Sequence, residues 1–454
     1  MNTEITTSKI SRPTSRHSIH TDKERGEAED CDNGAILSPS LLPKRPEGVG
    51  DIYTEIKRAL RSFPNPFFTF NPPLVDNSTT FFSSTAELTE YQRATAAQEP
   101  TRQEYGRYGN FTVQATAEAI AKIERAEASV LFPSGMAAVV AALKAVVPPG
   151  CHVIYGSDCY RQSREVIRQD LGYGGVTSTA VDTNDFASLR EAVTPKTSAI
   201  FFETPSNPYL RVVDFGRLMP IVKQINEERE NPIRLVIDSS FASPVNQTPL
   251  SFGVDLVVQS GTKYLSGHNS FLCGAVSGSK ELMRIVADNQ GRIGDIFAPS
   301  NAAKLFEQLS TVALRITRQN QSALEVATYL ENHPKIEQVW YPGLPSHPDF
   351  LIAHSQMRRW ADTEPGFGAV LSFTIRSDYE GTKQFLDRHK LAVIGPSFGG
   401  VDTLIEQPAH ISYHKYDAAF RKSVGIHDNL VRFSCGIEGV DDIISDLEQA
   451  LRDV

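Results

Sequence analysis

Residues 255–270, DLVVQSGTKYLSGHNS, set one amine, Lys263, just past a short apolar run and among hydroxyls and glycines. A lysine partly withdrawn from water has a lowered pKa and becomes a nucleophile, suited to forming an imine with a carbonyl. Asp238 closes a second apolar run, LVID, where burial demands a cationic or protonated partner. PSGM, residues 133–136, opens an Ala-rich helical pattern. The amides around Ser134, Gly135 and Met136 would offer a phosphate unpaired N–H groups and the positive end of a helix dipole. Tyr160, in SDCYR, supplies an aromatic face, and Ser260 and Thr262 flank the lysine with hydroxyls. Taken singly, each has an ordinary explanation: a solvated loop amine, a Ser-capped helix, a satisfied core carboxylate, a core or surface tyrosine. Taken together they are the set pyridoxal phosphate requires: an amine for its aldehyde, an anion facing its ring nitrogen, a helix start for its phosphate and an aromatic over its ring.

The elements that must position these residues follow from the hydrophobic pattern. Helical stretches (TVQATAEAIAKIERAEA, GMAAVVAALKAVV, SREVIRQDL, DFASLREAV, FGRLMPIVKQINEERE) alternate with β-rich runs (ASVLF, HVIYG, VTSTAVD, SAIFFET, RLVIDSS, DLVVQSG). Such alternation predicts an α/β fold with a parallel sheet covered on both faces. Ligands of open parallel sheets collect beyond the carboxyl ends of the strands, and each chemistry-bearing residue named above falls there. After the alternation, a long helix over 302–333, separated strands (EQVWYP, GAVLSFTI, NLVRFSCGI) and a closing helix predict a smaller α+β domain. The division expected is a disordered lead over 1–50, an arm over 51–110 with a short helix at DIYTEIKRALRSF, a large cofactor-binding domain over 111–300 and a C-terminal domain over 301–454.

Bulk properties narrow the function. The chain has 454 residues, 40% hydrophobic and 22% charged, as in soluble proteins with sizeable cores. A formal net charge of -9 gives no electrostatic reason to expect nucleic acid or a membrane surface as partner, leaving small molecules. The five cysteines show no CxxC and no disulfide-framework spacing, so free thiols in a reduced, cytoplasmic setting are expected, and no metal. No run reaches the roughly 18 apolar residues of a membrane span, and the start lacks a secretory apolar core. That start is rich in Ser and Arg, as organelle transit peptides are, but EAEDCD soon follows it. Neither GxGxxG after a strand nor GxxxxGK[ST] occurs, which disfavours a nicotinamide oxidoreductase and a Walker-type nucleotide site. A binding protein that merely kept such a fold would be marked by loss of Lys263 or Asp238, and both are present.

From about residue 70 onward the chain resembles the Cys/Met metabolism family of pyridoxal-phosphate enzymes, most closely the plant-type cystathionine γ-synthases. The resemblance is carried by EYGRYGN (104–110), SGM (134–136), DCYR (158–161), ETPSNP (203–208), DSSFASPVNQTPL (238–250), SGTKYLSGHN (260–269), PSFGGVDTLIEQPA (396–409) and DNLVRFSCGIE (428–438). It implies the fold-type I, aspartate aminotransferase-like architecture, assembled as a dimer of catalytic dimers. It further implies Lys263 as the Schiff-base lysine, Asp238 as partner of the ring nitrogen and Tyr160 stacked on the ring. Gly135, Met136, Ser260 and Thr262 would hold the phosphate and Asn207 the ring oxygen. Tyr105 and Arg107 match a pair that reaches the neighbouring subunit's cofactor. Ser397 and Arg432 match the clamp on the substrate α-carboxylate, a task suited to a planar guanidinium. The reaction implied is γ-replacement on an O-activated L-homoserine by cysteine, giving cystathionine. Alternatives are γ-replacement with another thiol or a carbon nucleophile, and a γ- or β-lyase. The family pattern is broken by Phe111 in YGNFT for a proline, a local loop change, by Ser270 in GHNS for an acid, and by Asp402 in SFGGVD for a glutamate that would help place the second substrate. FEQLSTV (306–312) stands where Arg-Gly is often found.

Overall fold

The computed structural model describes residues 51–97, 103–358 and 365–452; the expected N-terminal lead lies outside them. Seven strands form the first sheet: β1 (Ala128–Phe132), β2 (His152–Gly156), β3 (Thr177–Val181), β4 (Thr197–Glu203), β5 (Arg234–Asp238), β6 (Leu256–Gln259) and β7 (Gly274–Gly278). Their order is β1-β7-β6-β5-β4-β2-β3. The β-rich runs form strands because the sheet is buried on both faces. Along β4, Ala199 and Phe201 join one core cluster while Ile200 and Phe202 join the other, the two-residue alternation of a pleat. Small side chains let the helix Gly135–Val146 pack closely on the first face, where Ala138, Ala142 and Leu143 are fully buried.

β7, not anticipated from the sequence, runs antiparallel to both β6 and β1, whereas β2 to β6 are mutually parallel. Antiparallel neighbours need no crossover helix. The segment 260–273 between β6 and β7 therefore stays at the carboxyl edge of the sheet, and it carries Lys263. Because Phe132 of β1 lies opposite Gly274 of β7, the start of the helix Gly135–Val146 reaches the same edge.

The second sheet comprises β8 (Ile336–Trp340), β9 (Val370–Ile375), β10 (Val393–Ile394), β11 (Leu404–Glu406) and β12 (Leu430–Ser434), in the order β10-β11-β12-β9-β8. The expected strands are β8, β9 and β12, and the helix Val440–Leu451 closes the chain. In the arm, the helix Ile52–Leu60 forms as expected, but Thr85–Ala96 is also helical. None of its residues is buried, so no apolar period betrayed it. Phe111 occupies the first position of the helix Phe111–Glu124, capped by Asn110, and its ring meets Phe63 edge-on at 5.1 Å. Proline is favoured at that position for its preset backbone, and the phenylalanine instead ties the helix to the arm.

The long helix expected over 302–333 is two helices, Pro299–Leu309 and Val312–Glu331, broken at Ser310 and Thr311. Arg315 accounts for the break. Its buried guanidinium donates to the carbonyls of Tyr264 (2.8 Å), Leu265 (3.2 Å) and Gln308 (3.0 Å), so it ends the first helix and holds the backbone just after Lys263. Burial lowers the Arg315 pKa to about 10. Gly267 makes room for it: its φ is +64°, and a Cβ there would fall onto the guanidinium. Gly267→Ala is therefore expected to cost about 3 kcal/mol, from backbone strain plus orphaned carbonyls, read as a lower urea midpoint. An unchanged midpoint would show that the arginine is not held this way.

Candidate active site

Beyond the carboxyl edge of the first sheet lies a cleft of about 310 Å³, a volume in the range of small-molecule sites. Its walls come from both sheets: Gly135, Met136, Tyr160, Asn207, Asp238, Ser260, Thr262 and Lys263 from the first, Phe398 and Arg432 from the second. Residues chosen from the sequence for separate reasons thus meet in one place.

Asp238 ends β5, buried, beside Glu203 at the end of β4. One oxygen, Oδ1, accepts both the Ser240 backbone N–H (3.0 Å) and the Ser240 hydroxyl (2.6 Å). The other has no hydrogen-bond partner among the described residues, and the side chain lines the cleft. Burial raises the Asp238 pKa and the bonds from Ser240 oppose the rise. Glu203 is pushed far above the usual carboxylate range by burial and by the neighbouring Asp238 charge. Burial thus disfavours charge on both carboxyls, opposed at Asp238 by the two bonds from Ser240 and at Glu203 by the Tyr160 backbone N–H.

Lys263 donates from Nζ to Ser397 Oγ at 2.9 Å, and Nζ sits 4.9 Å from the centre of the Phe398 ring. Burial and then the nearby Arg432 charge lower its pKa to about 8, against a small upward pull from Glu406. A tenth or so of this amine is neutral near pH 7, far more than for a solvated lysine. Arg432, on β12, pairs with Glu406 of β11 at 3.0 Å and lies within 3.4 Å of Asn207 Oδ1 and 3.3 Å of the Ser397 carbonyl.

At the opposite wall, Ser134 caps the helix Gly135–Val146 by accepting from Ala137 N, which leaves the amides of Gly135 and Met136 in the donor-rich first turn. A Cβ on Gly135 would come within 2.8 Å of Ser260 Oγ, so only glycine lets the helix start approach this loop. Ser260 N–H donates to Ser240 Oγ, linking the loop to Asp238. The Ser260 hydroxyl has no partner among the described residues, whereas the Thr262 hydroxyl is engaged with the Cys273 carbonyl (3.1 Å) and N–H (2.8 Å). Tyr160 stands 42% exposed over the cleft, its backbone N–H bonded to Glu203.

These features fit pyridoxal phosphate on the chain's own terms. A carboxyl group with one oxygen spare faces the cleft from one side, a desolvated amine from another, and a glycine-opened helix start with a free hydroxyl from a third. Other predicted residues lie apart. Tyr105 and Arg107 do not line the cleft of their own chain; Arg107 stacks on Tyr105 and Tyr108 at 5.4 and 4.7 Å and donates to the Gly291 carbonyl. Asp402 is exposed beyond the lining and accepts from Asn269 at 3.3 Å. Nearby, Gln308 donates to Ser270 at 3.3 Å, so the unusual GHNS and FEQLSTV segments touch each other.

Sequence reasoning missed Glu203, Ser240, Phe398 and Glu406. Glu203 was legible by the rule that singled out Asp238, a charge closing an apolar run. Ser240 and Phe398 carried no such signal, since hydroxyls and aromatics near a motif are common. Glu406 is conspicuous only once its strand partner is known.

The sequence pattern described as Cys/Met metabolism PLP-dependent enzyme matches residues 58–452. The chain is 40% identical over 380 residues to cystathionine gamma-synthase 1, chloroplastic, of Arabidopsis thaliana, an alignment covering 84% of this chain but 64% of the plant protein. It is 36% identical over 394 residues to L-methionine gamma-lyase of Fusobacterium nucleatum, covering 86% of this chain and 95% of the lyase. Among solved structures, metB from Corynebacterium glutamicum superposes with a TM-score of 0.79 at 30% identity, covering 88% of this chain and 98% of that one. Cystathionine gamma-lyase from Lactobacillus plantarum, complexed with L-serine, gives 0.77 at 32% identity, with the same coverage. With its two-sheet architecture and a cleft built for an aldehyde, a pyridine and a phosphate, the chain belongs to the Cys/Met metabolism family of pyridoxal-phosphate-dependent enzymes.

Proposed function

We propose that the protein catalyses γ-replacement on an O-activated L-homoserine with cysteine to give cystathionine. The observation that carries this reading is the meeting of Lys263, Asp238 and Arg432 around one cleft, with the plant synthases, at 40% identity, as its support for synthase over lyase. When bound, pyridoxal phosphate supplies the electron sink that makes protons on Cα and then Cβ of an amino acid removable. The chain's residues do the rest. Arg432, with Ser397 beside it, holds the α-carboxylate and so aims Cα toward Lys263. The Lys263 amine, desolvated and hydrogen-bonded by Ser397, takes and returns the proton at Cα. Asp238 keeps a negative charge where the ring nitrogen would be, and Tyr160 covers one face of the site. Loss of the oxygen substituent from Cγ then opens that carbon to the thiol.

Assembly belongs to the same reading. Tyr105 and Arg107 are turned away from their own cleft, and Phe68, Phe70 and Phe81 of the arm are 96%, 85% and 85% exposed. A second copy would cover these rings and receive Tyr105 and Arg107 at its phosphate site, giving a dimer of catalytic dimers. No helix among the described residues is long and apolar enough to cross a membrane. The compartment we favour is the cytoplasm.

One observation favours a second reading. Asp402 is a methylene shorter than the glutamate of the family pattern and is engaged by Asn269, while Ser270, which stands where an acid is often found, accepts from Gln308. A rim so changed suits a different thiol or a carbon nucleophile, or release of the unsaturated intermediate as in a γ-lyase.

Incubation with O-acetyl-, O-succinyl- or O-phosphohomoserine, with and without cysteine, separates the readings: cystathionine is expected with cysteine, whereas 2-oxobutanoate and ammonia as the main products would mark a lyase. Lys263→Ala should lower turnover by at least about 10³-fold while leaving the fold, by circular dichroism, intact; appreciable residual turnover would remove the lysine from proton transfer. In protein stripped of cofactor, the neutral Lys263 amine is the reactive form, so its labelling by a small aldehyde with borohydride should rise with pH through a midpoint at about 8. A midpoint near that of a solvated lysine would contradict the desolvated setting.

A further inference from the structure

Glu406 stands directly opposite Arg432 on the antiparallel pair β11 and β12, and the two side chains meet at 3.0 Å. Both are buried, Glu406 to 2% and Arg432 to 7% exposure. The other groups in contact with the guanidinium, Asn207 Oδ1 and the Ser397 carbonyl, are neutral, so among the described residues Glu406 is its one anionic partner. The second Glu406 oxygen, Oε2, is buried with no hydrogen-bond partner among the described residues, so this carboxylate is held mainly by the arginine. Burial pushes the Glu406 carboxyl up, while Arg432 and then Lys263 pull it down.

An arginine that binds a substrate carboxylate has no need of a carboxylate of its own, and a buried glutamate in contact with it works against that task. We infer that Glu406 is the resident counter-ion of Arg432, shielding the guanidinium when no substrate carboxylate is present and weakening α-carboxylate capture when one arrives. The physical reason for keeping it is that a buried guanidinium without a counter-charge is strongly disfavoured. The consequence for function is that the site holds amino acids less tightly than a bare arginine would, which favours exchange of product for substrate. Glu406 is thus a residue that sets affinity without touching the reacting atoms. This assignment rests on Arg432 being the α-carboxylate clamp, as proposed above.

The test uses the cofactor-loaded enzyme and two ligands with no leaving group at Cγ, L-norvaline and L-norvalinamide, whose dissociation constants are measured by calorimetry at one pH. The ratio of the amide's constant to the acid's isolates the carboxylate contribution, and a general disturbance of the site would weaken both ligands and leave it unmoved. Glu406→Gln keeps an acceptor for Arg432 and removes the charge, and is expected to raise the ratio about ten-fold. Arg432→Ala should bring it close to one. A ratio unchanged or lowered in Glu406→Gln, with the collapse in Arg432→Ala still seen, overturns the counter-ion assignment and leaves the clamp standing. A ratio retained in Arg432→Ala overturns the clamp itself. If Glu406→Gln does not fold, Glu406→Asp, which draws the charge back by one methylene, is expected to raise the ratio by a smaller factor, and a fall or no change overturns the assignment.

Discussion

Desolvation of charge is the constraint on which this cleft depends. Lys263, Asp238, Glu203, Arg432 and Glu406 are all largely withdrawn from water within one small volume, and none could remain ionised there without local compensation. Compensation takes three forms. Asp238 receives two hydrogen bonds from Ser240, the Glu203 carboxyl is pushed up by burial and the Asp238 charge so that its neutral form is favoured, and Arg432 is paired with a facing carboxylate. Lys263 alone is left under-compensated, with a serine hydroxyl and an aromatic face for company, and its amine is correspondingly easier to deprotonate.

The reversed strand β7 makes this arrangement possible. Had the chain crossed over after β6 to continue in parallel, the residues following Gln259 would have run into a helix across a sheet face. By turning back, it keeps 260–273 at the carboxyl edge, against the start of the helix Gly135–Val146 and next to Asp238. Arg315 then holds the turn from behind through the Tyr264 and Leu265 carbonyls. The second sheet contributes its strand end and the segment around Ser397 from the other side, so the cleft is shared between two sheets, which a common core cluster with Leu131 and Ala275 from the first and Val370 from the second ties together.

The parts of the cleft that would face cofactor and α-carboxylate follow the family pattern, whereas the rim does not. Segments that look unrelated in sequence are neighbours in space: Asn269 with Asp402, Ser270 with Gln308. Ser270 and Asp402, two of the departures, thus lie on adjoining contacts, whereas Phe111 packs on the arm.

Periodicity alone located six strands of the first sheet, three of the second and most helices, since buried two-sided strands and amphipathic helices write their contacts into the order of apolar residues. The exposed helix Thr85–Ala96 escaped for want of such contacts, the short small-residue strand β7 escaped although buried, and the two helices flanking Ser310 were misjoined because their separation is decided by an arginine one turn later. Lys263, Asp238, Tyr160 and the PSGM turn could be proposed from residue type and position past a strand, because their chemistry is local to each segment. Pairings were a different matter. That Glu406 faces Arg432, that Glu203 lies beside Asp238 and that Ser397 meets Lys263 depends on strand register and on the approach of two sheets. Charge on a buried group is set by whatever lies within a few ångströms, and only the folded chain determines that.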